Sequence, residues 1–466
     1  MPYWDWARRP SDGGPVYLPD FGEEMIDIYG PKGWQQISNP LYSYRFSTRE
    51  RLAFDFDILQ KWNQTMRAPS DDSSSAVSRN DNVTRQVNAL LSQNQQSLFM
   101  LFSSYRNFSA FSNRLFREDG NDKDFASIEG LHDTMHNVLG TGGHMEFIMY
   151  SSFDPIFFLH HANVDRLVAI WQALNPTSWV QPHAAQLASF TNQAGTILDD
   201  TTDLTPFYRN YEGDFWTSKS ARDTLPFGYV YDDTADVSLT GPSKPEALDA
   251  LREVVNEKYG QSSPSLFTND TGAGIQDGVV ATRFRKDAMA SGNFVPDLSQ
   301  HSAIPNPPPS LIINKDNQYT EWLVNVRYTI QEIDRPMSIL FFLGHVYDDQ
   351  SNWRWAPNLI GNFGLFAMGS DVDRGAQATG TVPLTAGLTK MVAVQFVRSL
   401  EPEDVVDHLQ AHLQFRVLDV NNEPVDTNEL SGLVLKVASA CVRAAHSKGE
   451  LPEWGPPVTR FIMAGK

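Results

Sequence analysis

The chain has 466 residues, 41% of them hydrophobic and 12% aromatic, with a formal net charge of -19. Length and composition suit a globular protein with a sizeable core and probable division into two domains, and exclude a disordered chain. The negative charge excludes nucleic acid and anionic membrane as partners, because both repel it, and favours a neutral or cationic substrate.

One cysteine, Cys441, rules out an intrachain disulfide and a cysteine-rich zinc module, which fits a reducing compartment. The opening Pro2-Tyr3-Trp4-Asp5-Trp6 lacks the basic and apolar regions of a signal peptide. No run reaches the ~18 apolar residues of a membrane span. The expected location is therefore cytoplasmic or otherwise intracellular. Large aromatics at a free terminus are unusual, and predict that a segment which packs on them in relatives is missing here.

Residues 11–50 read as loop. Ser47-Thr48-Arg49-Glu50 has the form of a capping box and predicts a helix through Trp62. Apolar residues at Val87, Leu90, Leu91, Leu98, Leu101 and Phe102 recur at helical spacing, predicting a helix over 83–106. A further helix is predicted over 128–139, stopped by Gly140-Thr141-Gly142-Gly143. Asp154-Pro155 caps the next, which runs to Leu174 and is apolar nearly all round, hence buried. Residues 233–310 are polar and end in prolines. They read as a linker or loosely packed cover with one helix over 245–259. From Leu311 the period becomes two. Residues 321–330 read as a half-buried strand, and 338–343, 391–397 and 433–442 as further strands of an antiparallel sandwich.

His132 and His136 stand four residues apart, so both imidazoles lie on one helix face and reach one metal ion. A third histidine from another helix would complete a site with an open position, and neutral imidazole suits copper and zinc. By itself such a pair is more often a hydrogen-bonded helix face. His408 and His412 share the spacing without a third donor segment and are assigned to structure. A zinc-protease reading fails because Asp133, not Glu, follows the first histidine.

The stretch Ser127-Ile128-Glu129-Gly130-Leu131-His132-Asp133-Thr134-Met135-His136, followed by Phe153-Asp154-Pro155-Ile156-Phe157-Phe158-Leu159-His160-His161-Ala162-Asn163-Val164-Asp165-Arg166, carries the decisive pattern. It resembles the second copper-binding half of tyrosinases and catechol oxidases, the type 3 copper proteins. Pro2 to Ala7 resembles the segment that follows the first copper half. Tyr229-Val230-Tyr231 resembles the motif closing the catalytic domain. Residues 319–366 and Leu451-Pro452-Glu453-Trp454-Gly455 resemble the C-terminal β domain of fungal tyrosinases. The implied fold class is α+β and multidomain. A mainly α type 3 copper helical-bundle core, incomplete, occupies 1–232. A linker follows over 233–310, and an antiparallel β-sandwich over 311–466.

The resemblance implies copper ligands His132, His136 and His161. Neighbouring helix residues point about 100° apart, so His160 is expected to pack beside the site rather than face the metal. Phe157 is expected to wedge against the ligand rings. Asp165 is expected to accept an imidazole N–H and to pair with Arg166. Glu129 and Asp133 are the candidate catalytic carboxylates: Glu129 at the position that holds a water, Asp133 where the family has Asn. The implied partners are a phenolic substrate and O₂, oxidised phenols being the pigment-type products. The family uses two coppers. Here no histidine precedes His132, so only the second site is expected. The chain is expected to be impaired, with an exposed face around Trp4 and Trp6. The alternatives are a mononuclear copper-binding pseudoenzyme and an oxygen-binding relative. In the family an aromatic of the β domain often plugs the site; Trp353, Trp355 and Phe363 are the candidates here, with plain core packing the favoured reading for each. The sequence leaves the oligomeric state open.

Overall fold

The computed structural model describes residues 1–116, 125–269, 306–333, 335–366 and 376–463. A helical region is followed by a region of antiparallel sheets, the expected α+β class. In chain order the main elements begin with a hairpin, β1 (Met25–Gly30) and β2 (Gly33–Ser38). Five helices follow: α1 (Asn80–Ala89), α2 (Leu91–Ser104), α3 (Ile128–Gly140), α4 (Ile156–Leu174) and α5 (Pro245–Tyr259). Then come β3 (Gln318–Thr329), β4 (Met337–Leu343), β5 (Leu359–Leu365) and β6 (Gln377–Pro383). Helices α6 (Thr385–Ala393) and α7 (Pro402–His412) precede β7 (Leu413–Asp419), β8 (Val434–Arg443), β9 (Glu453–Trp454) and β10 (Val458–Met463).

One sheet has the order β6-β3-β8-β9, with β10 also paired to β8. The other has the order β7-β4-β5. Buried residues of both sheets, such as Trp322, Val324, Ile339 and Phe341, fill one core. A second core joins Trp4, Trp6 and Trp171 with the helices. Among the described residues no helix is long and apolar enough to cross a membrane.

Local signals place the two helices that carry the histidines. The Ser127 hydroxyl accepts the Gly130 N–H and starts α3, which ends where Thr141 turns left-handed at φ 43°. The Asp154 carboxylate takes the Ile156 N–H at 3.1 Å at the start of α4. The same carboxylate forms a buried two-pronged pair with Arg67, with Nε to Oδ2 at 2.9 Å.

Several expectations are corrected. The segment 48–62 is two short helices, Thr48–Arg51 and Asp57–Lys61, although the Ser47/Glu50 capping box forms. Between them Phe54 turns inward to pack with Phe46 and Trp62. The helix expected over 83–106 is bent at Leu90 into α1 and α2. The bend keeps its hydrogen bonds, because Leu90 donates to Gln86 and accepts from Asn94. Residues 391–397 are not a strand but the end of α6 and a turn. A run this short, apolar except for Gln395, has no period that separates helix from strand. Strand β3 is buried on both faces, not one, because it is central in its sheet and packs on α6 as well as the sandwich core.

The aromatic opening is not exposed. Trp4 and Trp6 are buried. Trp4 donates to the Val16 carbonyl at 2.8 Å and meets Tyr17 and Phe21 edge-on. The chain's own residues 16–21 therefore cover it. The segment expected as a loose cover is also packed where it is described: Leu251, Val255 and Tyr259 of α5 belong to the helical core. Residues 270–305 lie outside the described residues.

The two regions meet through polar contacts as well as apolar ones. Gln93 of α2 donates to the Asn362 carbonyl at 2.6 Å and accepts the Asn362 N–H at 2.8 Å, imitating a strand edge. Gln96 accepts the Ala386 N–H at 3.0 Å. Glu321 of β3 is buried, and burial pushes its carboxyl up to about 8 from an ordinary 4.5, with the Thr385 hydroxyl pulling the other way. A folded-state value above the unfolded one contributes stability that is complete below the unfolded value and is lost as pH rises through the folded one. Unfolding free energy should therefore decline between about pH 4.5 and pH 8. In Glu321→Gln that decline should shrink, as urea denaturation at a series of pH values would show.

Candidate metal centre

Four histidines meet where α3 faces the first turns of α4. One donor nitrogen from each of His132, His136, His160 and His161 lies within 4.8 Å of the others. His136 and His160 are buried, and His132 and His161 are half-buried. Among the described residues this is the one cluster of three or more such donors with metal-site spacing.

Three of the rings are held by their Nδ1 atoms. That of His132 lies 3.0 Å from Asp133 Oδ1, that of His136 2.7 Å from the Met145 carbonyl, and that of His161 2.8 Å from the Phe157 carbonyl. A carboxylate and two carbonyls can only accept, so each Nδ1 carries the hydrogen. Each Nε2 is then a lone pair in the neutral ring. Burial holds His136 well below its ordinary value, and burial lowers His161 to about 4, with His132 adding to both shifts. His136 and His161 are therefore neutral imidazoles at neutral pH.

The Nε2 atoms of His132 and His161 stand 2.9 Å apart. Two imidazole nitrogens face each other at that distance when they share a proton or a metal ion. Imidazole nitrogens bind a metal at about 2.0–2.1 Å, which puts two donors at right angles about 2.9 Å apart. His136 Nε2 is buried without a protein partner. The donor set fits a metal ion.

His160 differs from the expectation. Its ring is stacked on His132, with centroids 5.2 Å apart at 14°, and it lies in the cluster rather than beside it. The direction from α4 to α3 falls between the two neighbouring residues, about 50° from each given a 100° step. Neither His160 nitrogen has a partner. Phe157 packs on His161 with centroids 3.8 Å apart, and lies 5.9 Å from His136.

The two carboxylates of α3 are tied by Arg114, a residue that the sequence reading passed over. Its guanidinium pairs with Asp133 Oδ2, its Nε lies 3.9 Å from Glu129 Oε1, and its backbone N–H donates to Glu129 Oε2 at 2.9 Å. Asp133 is thus occupied on both oxygens, by Arg114 and by His132. Glu129 is half-buried. Burial raises its carboxyl against the lowering pull of Arg114. Arg114 stands in an irregular segment with no pattern of its own, so only the fold reveals it.

Asp165 does not touch a ligand ring. Its Oδ2 accepts the hydroxyls of Tyr229 and Tyr231, each at 2.7 Å. Arg166, about 100° further round the helix, turns inward to Asp233 and Asp5 instead of pairing with Asp165. The three candidate plugs pack away from the histidines. Trp353 packs in a separate cluster with Phe342, Trp355 lies under Arg85, and Phe363 sits against Gly130 and Gly380. The aromatic that reaches the histidines is Phe366, just past β5, with its ring centroid 5.1 Å from that of His136. The rings of His408 and His412 lie 4.8 Å apart with no third donor among the described residues.

A family model described as the common central domain of tyrosinase matches residues 1–174, and one described as the tyrosinase C-terminal domain matches residues 321–437. The chain belongs to the tyrosinase family. A tyrosinase of Neurospora crassa is 27% identical over 94% of this chain and 73% of its own length. Polyphenol oxidase 2 of Agaricus bisporus is 28% identical over 75% of this chain and 57% of its own length. The solved structure of recombinant mushroom tyrosinase superimposes with a TM-score of 0.73 at 22% identity, covering 98% of this chain and 75% of that one. The fold is that of the type 3 copper proteins, and copper is the metal of this family.

Asp133 fixes the His132 ring through Nδ1. Removing such a support weakens metal binding about 10–100-fold. Asp133→Ala is expected to lose Cu(II) affinity in that range, measured by competition with a chromophoric chelator. An unchanged affinity would show that the ring is set by something else.

Proposed function

We propose that the chain is a copper oxidoreductase of the tyrosinase type, acting on mono- and o-diphenols with O₂ to give o-quinones. The observation that supports this most directly is the convergence of four imidazoles, with the Nε2 atoms of His132 and His161 2.9 Å apart. His132, His136 and His161 hold the metal, each aimed by its Nδ1 partner, and His160 is a fourth imidazole within reach. Copper, when bound, supplies the redox change and the reaction with O₂. The chain's own groups do the rest. Glu129, one turn before His132, holds a water or takes the phenol proton at its carboxylate. Asp133 orients His132 and, paired with Arg114, is not a free base. Phe157 stacks on the His161 ring and keeps water from that side. Phe366 covers His136.

The division into a core over 1–232, a connecting segment over 233–310 and a β domain over 311–466 belongs to this proposal. The β domain is a cover over the site. No histidine precedes His132, and the described residues offer one cluster. We therefore propose one copper per chain of these 466 residues, with little diphenol turnover by that chain. The same single cluster favours the second reading, a mononuclear copper-binding protein without oxidase activity.

Metal analysis and a diphenol oxidation assay on the copper-loaded chain test the stoichiometry and separate the readings. One copper per chain with slow, copper-dependent quinone formation is expected. Two coppers with fast turnover would overturn the stoichiometry. One copper with no turnover under any loading would favour the non-catalytic reading.

Phe366→Ala should uncover His136. Binding of 4-nitrocatechol to the copper-loaded chain is expected to tighten severalfold, followed by its absorption change. An equal affinity in both proteins would mean that Phe366 does not guard the site.

A further inference from the structure

A cavity of about 550 Å³ lies away from the histidine cluster, at the seam between the helical region and the sheets. It is of ligand size, since small-molecule sites span about 300–1,000 Å³. One wall comes from the loop at 56–72 and the turn after α3, the other from residues 335–336 and 420–422.

The helical region supplies the apolar lining, Phe56, Ile58, Phe147, Ile148 and Met149, beside the polar Ser70, Asp71, Asp72, Arg79 and Thr141. Phe56 and Phe147 pack together with centroids 4.8 Å apart. Phe56, Ile148 and Met149 are nevertheless 42%, 40% and 64% exposed. Apolar surface gathered at the rim of a concavity is what an apolar occupant covers.

The polar end is a built feature. Glu146 lines the cavity and is fully buried. Its Oε2 takes the Gly142 N–H at 2.5 Å, and its Oε1 has no protein partner. Burying a carboxyl in this way costs free energy unless something hydrogen-bonds to it. The chain accommodates it with two glycines. A Cβ on Gly140 would lie 2.5 Å from the Glu146 nitrogen, and Gly142 has φ +90°. Arg354, whose charge lies near Glu146, is buried and leaves Nη2 unpartnered, while its Nε donates to the cavity-lining Asn422 at 2.6 Å. Burial pushes the Glu146 carboxyl up to about 7.

Arg79 donates to the Pro69 carbonyl at 2.9 Å, Arg335 pairs with Asp419 at 3.3 Å, and Asp71 accepts from Ser70 and Ser73, while Asp72 on the same rim is exposed. Two arginines and two aspartates on the rim leave no net sign that selects a charged ligand.

We propose that this cavity is a second ligand site, distinct from the metal centre, for a neutral aromatic molecule of two or more rings with a hydrogen-bonding oxygen at one end. The rings lie among Phe56, Phe147, Ile148 and Met149. The oxygen meets the polar end at Glu146. Because both regions contribute walls, a bound ligand holds the sheets against the helical core.

The probe is 2-naphthalenemethanol, a two-ring alcohol that is not a phenol and whose hydroxyl can donate to the Glu146 carboxylate, titrated into the full chain by equilibrium dialysis. One saturable site per chain is expected. Ile148→Trp, which fills the cavity from an exposed position, should weaken binding at least tenfold. Met149→Arg, which puts a charge among the rings, should do the same. His132→Ala should leave binding unchanged. Absence of a saturable site, retention of full affinity in both Ile148→Trp and Met149→Arg, or loss of binding in His132→Ala would each overturn the proposal. Since the probe needs no copper, its failure leaves the oxidoreductase reading standing.

Discussion

The close contact between α3 and strand β5 sets the geometry of the metal centre. A Cβ on Gly364 would lie 2.8 Å from Thr134 Cα, so helix and strand touch backbone to backbone. The Gly364 N–H donates to the Thr134 hydroxyl at 3.0 Å, and Asn137 donates to the Met337 carbonyl at 2.6 Å. Such bonds contribute about 0.5–1.5 kcal/mol each when made, and an orphaned buried partner costs about 1–3 kcal/mol. Both bonding residues are on the helix that carries His132 and His136. The sheet therefore fixes the ligand helix and, in the same strand run, delivers Phe366 over His136. Cover and site are parts of one contact.

Three buried arginines do comparable work elsewhere. Arg67 joins Asp154 to the Tyr17 hydroxyl and the Phe21 carbonyl. Arg166 joins α4 to Asp5, Asp233 and Tyr259. Arg114 joins Asp133 and Glu129. A buried pair adds little net stability, but losing one partner strands a charge and costs about 3–5 kcal/mol. Their effect is to specify which segments meet. Arg67 secures the start of the histidine helix α4 and Arg166 its middle, and Arg114 secures the first turns of α3.

Much of this was legible in the chain. The capped start at Asp154, the glycines after α3 and the apolar character of α4 gave both histidine helices within a residue or two. The alternation in 321–330 gave a strand. What failed had local ambiguity. Residues 391–397 carry no period, and the two-sided burial of β3 depends on what lies across the sheet. The buried glutamines of α2 look like solvent-facing residues until β5 and α6 are placed against them. Trp4 and Trp6 read as exposed because the residues that cover them, 16–21, have no regular pattern.

At the site, the spacing of His132 and His136 put two imidazoles on one face, since a helix places i and i+4 together whatever surrounds it, and the family resemblance added His161. Sequence by itself thus determined the family, the histidine helices and three of the four imidazoles that meet there. Tertiary structure decided which nitrogen each histidine offers, because the Nδ1 partners come from a carboxylate, a distant turn and the helix backbone. It also decided that His160 joins the cluster, that Asp165 serves two tyrosines and that Arg114 holds Asp133. Those outcomes depend on directions between elements far apart in the chain, and spacing along one helix carries no information about them.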